Sequence, residues 1–217
     1  MARPVSMNPR KSASQARSQA TVDALLDATA RILVREGYDR ASTNRIAAVA
    51  GVSIGSLYQY FPNKESLVAA LVARHNRQIL ALLSNAMMAV ASLDLEPAMR
   101  ELIRAMVDAH RVDPELHRIF DEQVPRMGQL AEIEVVKEET FAVVRAYLES
   151  RRSEIGVTDL DTATFICVTT VETLTHEIVI RPPASSRIEA IDFVDEVARL
   201  LVGYLRPMPA KACRAPG

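Results

Sequence analysis

The chain is expected to fold as an all-α protein of about nine helices, and three observations carry that expectation. Apolar residues recur three and four apart through most of its length, beginning with Val22, Leu25, Leu26, Ile32 and Leu33. Caps and breakers fall between those periodic runs, among them Gly37, Gly51, Asn63, Asp94, Pro125, Pro182-Pro183 and Pro207. No useful strand alternation, internal repeat or glycine-rich phosphate loop interrupts the pattern.

Residues 1–17 carry Arg3, Arg10, Lys11 and Arg17 with no acid, so a flexible basic arm is expected there. Such an arm could follow phosphates or a minor groove, or be a solvated tail. Met7 is a second candidate start. The spacing predicts a first helix over 18–36, stopped by Gly37, with Tyr38 packing as a lid on a small core. Ser42 can cap a second helix, with Ile46, Ala47 and Ala50 as its apolar stripe. Gly51 can leave that helix with positive φ, having no Cβ to clash. Ser53 can then cap a third helix through Leu57, Tyr58 and Tyr60.

Asn63 is placed to cap a long fourth helix from Lys64 to about Val90, with Leu67, Leu71, His75, Gln78 and Leu82 along it. About 25 helical residues span nearly 40 Å. Asp94 should cap 95–111, with Pro97 tolerated in the first turn. Asp113-Pro114 opens a short helix to about Gln123, which Pro125 should break. Residues 128–152 read as an amphipathic helix with Val135, Val136, Val143, Val144, Tyr147 and Leu148 inward. Thr158 should cap 159–180, and Ser185 or Ser186 should cap 187–205. The last eleven residues, 207–217, read as a disordered tail. The expected domains are therefore 18–77 and 78–206, flanked by the arm and the tail.

Composition excludes several classes. An apolar fraction of 49% with a net charge of −1 fits a globular chain rather than a disordered one. No unbroken apolar run approaches the roughly 18 residues that span a bilayer, and the basic N-terminus lacks a signal's apolar core. No membrane partner and a cytoplasmic location are therefore expected. Cys167 and Cys213 offer neither a disulfide framework nor metal spacing. The near-neutral total hides an asymmetry. Residues 1–75 hold ten Lys/Arg against five Asp/Glu, while 76–217 hold sixteen against twenty-two. A basic third beside an acidic remainder fits a nucleic-acid reader joined to a non-binding domain.

That reader would be the stretch 42–67. A helix, a short turn with Gly51 and a second helix fronted by Gly55 and Ser56 describe a helix-turn-helix. A helix can approach base edges in the major groove only where it lacks bulk. Tyr58, Tyr60 and Lys64 have the reach and the donors for flanking phosphates. Both tyrosines also have a bland reading as half-buried packing residues.

With these elements the chain resembles the tetracycline-repressor (TetR) family of bacterial regulators. The resemblance is carried by Gly37-Tyr38, Ser42-Thr43, Ile46-Ala47, Ala50-Gly51-Val52-Ser53, Gly55-Ser56-Leu57-Tyr58, Tyr60-Phe61 and Asn63-Lys64-Glu65. It covers residues 18–77; over 78–206 it holds only in length and helix count. It implies a homodimeric transcriptional regulator, most often a repressor, that leaves a palindromic double-stranded operator when a small molecule binds its second domain. Carried across by position, Thr43 and Asn44 would face phosphate or a base edge. Ser53, Ile54, Gly55 and Ser56 would lie at the groove, with Tyr58, Tyr60 and Lys64 on the backbone. Ile54 departs from the polar or basic residue often found there; it could touch a thymine methyl or leave that base unread. Arg45 and Gln59 could reach DNA or stay solvated.

The last two helices resemble the family's dimerisation pair, with Phe165, Val168, Ile178, Ile191, Val194, Val197 and Leu201 as interface candidates. The alternative is that these stripes pack on their own chain. Met87, Met106, Phe120, Met127, Phe141, Tyr147 and Phe165 could line an adaptable effector cavity or be plain core. Glu172 and His176 join them as polar candidates, with Glu172 and Glu177 able to face a cation. His110, His117 and His176 lie far apart in sequence, so no metal site is expected. With no nucleophile–base pair, metal-ligand spacing or cofactor loop, neither an enzyme nor a cofactor is expected.

Overall fold

The computed structural model describes residues 12–127, 131–181 and 190–206, with side chains described over 17–122, 134–181 and 192–206. The expected tail, the cap at Ser185 or Ser186 and most of the basic arm lie outside them. Among the described residues there are nine α-helices, one π-helical turn and no strand, so the protein is all-α. The helices are α1 (Ser12–Glu36), α2 (Thr43–Ala50), α3 (Ile54–Tyr60), α4 (Lys64–Ala89) and α5 (Leu95–Arg111). They continue as α6 (Pro114–Met127), α7 (Ala131–Ser150), α8 (Leu160–Thr175), the π turn (His176–Ile180) and α9 (Ala190–Leu205).

The described residues divide into two compact units. The first runs to Ala73 and takes in the segment from Ile119; the second holds Arg74–Arg118 and the chain from Ala131. In the first, α1 packs on α2 and α2 on α3. Leu25, Leu33, Ile46, Leu57 and Leu67 are completely buried there, one or two from each of α1 to α4, which locks the short helices that could not persist alone. Ser42 accepts from the Arg45 N–H at 3.3 Å, and Gly51 leaves α2 at φ 71. Asn63 Oδ1 accepts from the Ser66 N–H at 2.8 Å to start α4. One expectation fails here: α1 begins at Ser12, not at residue 18. Its first turns, SASQARS, are polar all round, so no apolar period announces them, yet alanine, glutamine and arginine favour helix.

The second unit packs α5 against α9, α8 and the π turn, and α7 against α8. Met99, Leu102, Ile103, Met106 and Val107 of α5 meet Val194, Val197, Ala198, Leu201, Val202 and Leu205 of α9 in one core. Tyr147 and Leu148 join it from α7, as predicted, but Val135 is 47% exposed. Only the stripe that includes Val136 and Val144 turns inward.

Three boundary expectations are corrected. α6 runs through Pro125 to Met127, since a proline near a helix end forfeits only one of the weak terminal hydrogen bonds. Asp159, not Thr158, caps α8, accepting from the Asp161 and Thr162 N–H groups at 3.0 and 3.1 Å. Asp94 makes no side-chain cap to α5. The Leu95 N–H instead donates to Glu154 Oε2 at 2.8 Å, from the turn after α7.

Glu154 belongs to a buried polar knot. Arg151 Nη1 donates to Glu154 Oε1 (2.9 Å) and the Leu93 carbonyl (2.6 Å), while Nη2 donates to the Val90 and Ala91 carbonyls (2.9 and 3.2 Å). The guanidinium thereby satisfies carbonyls that the end of α4 leaves without helical partners. The segment Leu160–Ile180 is long and apolar enough, by length and composition, to cross a membrane. The sequence reading missed this because Glu172, His176 and Glu177 break the run while leaving the average hydropathy high. Core helices of soluble proteins meet the same criterion.

Candidate nucleic-acid interface

The front of α3 is open. Ile54 is 38% exposed, and Gly55, Gln59, Tyr58 and Tyr60 are exposed around it, while Leu57 alone points inward. Ser53 caps the helix by accepting from the Ser56 N–H at 3.0 Å, and its Oγ lies 2.8 Å from that of Ser56. A Cβ built on Gly55 would meet only Ser53 Oγ, at 3.9 Å. The chain's own packing therefore does not require a glycine there. A glycine in a helix costs up to about 1 kcal/mol against alanine, a cost that the chain's own packing there does not explain.

The structure brings Thr43 and Tyr58 together, their hydroxyls 3.1 Å apart across α2 and α3. Asn44 is exposed beside them. Two other candidates are already engaged. Arg45 makes a fork to Glu36, with Nη2 2.8 Å and Nε 3.1 Å from Oε1. That hydrogen bond first, and then the charges of Arg45, Arg40 and Arg35, hold the Glu36 carboxyl below its usual range, against a smaller opposing effect of burial. Lys64 donates to the Tyr38 carbonyl at 3.0 Å, and its ammonium sits 3.9 Å from the centre of the Tyr38 ring. Tyr38 itself donates to Glu65 at 3.2 Å. Lys64 thus ties the start of α4 to the chain after α1, a role that spacing did not reveal.

The candidates in the second unit separate. Met106 and Tyr147 are core, Met87 packs against it half-buried, and Phe141 stands 6.4 Å from Phe165, ring centre to ring centre. Phe120, in the first unit, is buried; the Met127 side chain lies outside the described residues. Glu172 is exposed, and Glu177 is exposed and pairs with Arg181 at 3.2 Å, so neither faces an interior ligand. Of the interface candidates, Val194, Val197 and Leu201 are corrected: they are buried in their own chain's core against α5. Val168 and Ile178 are half-buried against the same core, and the Ile191 side chain lies outside the described residues. Phe165 remains 56% exposed; Leu200, which lies off the α9 stripe and was missed, is 58% exposed. Burial pushes the Cys167 thiol up to about 11, which leaves it a packing residue.

The histidines, distant in sequence, converge in the fold. His110, His117 and His176 offer ring nitrogens that all lie within 4.8 Å of one another, and the His75 and His117 Nε2 atoms are 2.8 Å apart. These are all four histidines of the chain. Distance along the sequence hid them because α4, α5, α6 and the π turn each supply one. Burial first, then the neighbouring imidazoles, lowers the His117 pKa to about 3. Burial likewise lowers that of His75, against the pull of Asp113.

Residues 25–71 match the family described as bacterial regulatory proteins, tetR family, and residues 94–205 match the tetracyclin repressor-like C-terminal domain. The chain is 30% identical over 139 residues to an uncharacterised helix-turn-helix transcriptional regulator of Mycobacterium tuberculosis, covering 63% of this chain and 66% of that one. It is 28% identical over 120 residues to the nucleoid occlusion factor SlmA of Haemophilus ducreyi, covering 55% of this chain and 56% of that protein. The matches thus span between about half and two thirds of these curated relatives. Its fold resembles the fatty acid degradation regulator FadR of Bacillus halodurans, with a TM-score of 0.66 and 21% identity over 87% of this chain and 97% of that one.

Proposed function

The chain belongs to the TetR family of DNA-binding transcriptional regulators, and on that premise we propose that it is a homodimeric repressor. Two copies of the 18–77 reading domain engage a palindromic operator, and a small, partly apolar effector bound in the 78–206 domain releases it. As a DNA-binding regulator it acts in the cytoplasm. The observation that carries the DNA-reading part is the front with exposed Ile54 and Gly55 and half-buried Ser56, whose glycine the chain's own packing does not need. The paired hydroxyls of Thr43 and Tyr58 offer donors at one flank of that front for a phosphate, with Asn44, Gln59 and Tyr60 beside them. Arg45 and Lys64 reach DNA only by sharing or exchanging their present partners. For the dimer, the exposed Phe165 and Leu200 replace the buried α9 residues as interface candidates.

The test is selection of duplexes from a random pool by the pure protein, followed by gel retardation of the winners. A palindrome is expected, with affinity falling steeply as salt rises. Recovery of no preferred sequence, and no retardation at low salt, would overturn the reading. Tyr58→Ala should weaken binding to every operator by roughly tenfold or more, whereas Ser56→Ala should change preference at one or two base pairs. Uniform weakening by both would sink the assigned groove geometry.

A further inference from the structure

We propose that His75, His110, His117 and His176 form a binding site for a divalent first-row transition-metal ion such as zinc. Each side chain comes from a different element of the second unit, so only tertiary folding assembles them. Their nitrogens already converge: the two Nε2 atoms of His75 and His117 are 2.8 Å apart, and the ligating nitrogens of His110, His117 and His176 all lie within 4.8 Å of one another. Four nitrogens around a tetrahedral ion with bonds of about 2.0–2.1 Å stand about 3.3 Å from one another. The known separations bracket that value, and His75 and His176 are half-buried, so their rings are the ones with room to adjust.

Two further features point the same way. His110 Nδ1 lies 2.7 Å from the Met106 carbonyl; a carbonyl can only accept, so Nδ1 carries the proton and Nε2 the lone pair. A backbone carbonyl that fixes the tautomer and aim of a ring is the usual support behind a metal-bound histidine. The α8 helix also widens at the residue concerned, where the Arg181 N–H bonds to the His176 carbonyl at 3.0 Å, five residues back. Such π turns are rare and concentrate at functional sites.

Plain packing is the competing account. His110 and His117 are stacked, with ring centres 4.5 Å apart and planes 22° off parallel, and the pair is buried. Packing alone gives no reason to gather every imidazole of the chain, since apolar side chains would fill the same volume without polar atoms to satisfy. An all-imidazole donor set suits zinc, nickel, copper or cobalt rather than magnesium or calcium.

The experiment uses the full chain with any affinity tag removed, stripped by chelator and then titrated with cobalt(II) and, in competition, zinc(II). Visible absorption of four-coordinate cobalt, its displacement by zinc and a stoichiometry of about one ion per chain are expected. His176→Gln and His117→Gln should each weaken zinc binding by at least about tenfold. Circular dichroism checks both folds, and the half-buried His176 variant decides if the His117 variant does not fold. Absence of binding by the parent chain, or binding that survives both folded variants, would overturn the proposal. Metal binding is read without DNA, so it stands or falls separately from the regulatory reading.

Discussion

The two units solve the problem of placing polar groups in opposite ways. In the first, most such groups bond to near neighbours in sequence: Ser42 to Arg45, Ser53 to Ser56, Asn63 to Ser66. In the second, local pairs such as Arg118 with Glu115 also occur, but the buried groups are gathered from afar. Arg151 reaches back to Val90, Ala91 and Leu93, and four helical elements contribute one histidine each. Local caps make short helices start where they must, and they can be recognised in a string of letters. Long-range knots fix how helices assemble, and no spacing rule announces them.

Substitutions can break or sharpen this contrast. The largest effect should come from Arg151→Met, which leaves Glu154 and the carbonyls at the end of α4 without their partner. A loss of about 3 kcal/mol or more is expected in chemical denaturation; a loss under 1 kcal/mol would mean the knot is ornamental. Ser53→Ala, removing one local cap, should cost only about 1 kcal/mol in the same measurement. Smallest for stability is Gly55→Ala, neutral or stabilising by less than about 1 kcal/mol, because the new methyl would meet only Ser53 Oγ, at an ordinary contact distance. Its operator affinity should nevertheless fall, as read by gel retardation. Destabilisation by this variant would show that the glycine serves the fold after all.

The same contrast explains what could be read in advance. The helices α2 and α3, the turn at Gly51 and the caps at Ser42, Ser53 and Asn63 depend on residues a turn apart, and sequence reasoning found them, while the polar first turns of α1 escaped it. It mistook Thr158 for the cap of α8 because Asp159 is an equally good cap one residue on. It stopped α6 at Pro125 because the rule for interior prolines relaxes at a helix end. The face of α9 could not be assigned, since an apolar stripe looks the same whether it meets its own α5 or a second chain. The roles of Arg45 and Lys64 were hidden for another reason. A long cation reads as a phosphate contact unless its carboxylate or carbonyl partner is known, and Glu36 and Tyr38 stand far from them along the chain.

The fork between Arg45 and Glu36 has a thermodynamic corollary. Glu36 serves Arg45 as a built-in counterion, closer than any from solution. A duplex that recruits Arg45 must share it with that carboxylate or displace it, and the carboxylate, tethered to the chain, then holds back a cation that the DNA would otherwise have released to the bulk. The salt slope of binding would then count fewer charges than the surface presents. Converting Glu36 to glutamine would restore the missing ion to the bulk balance.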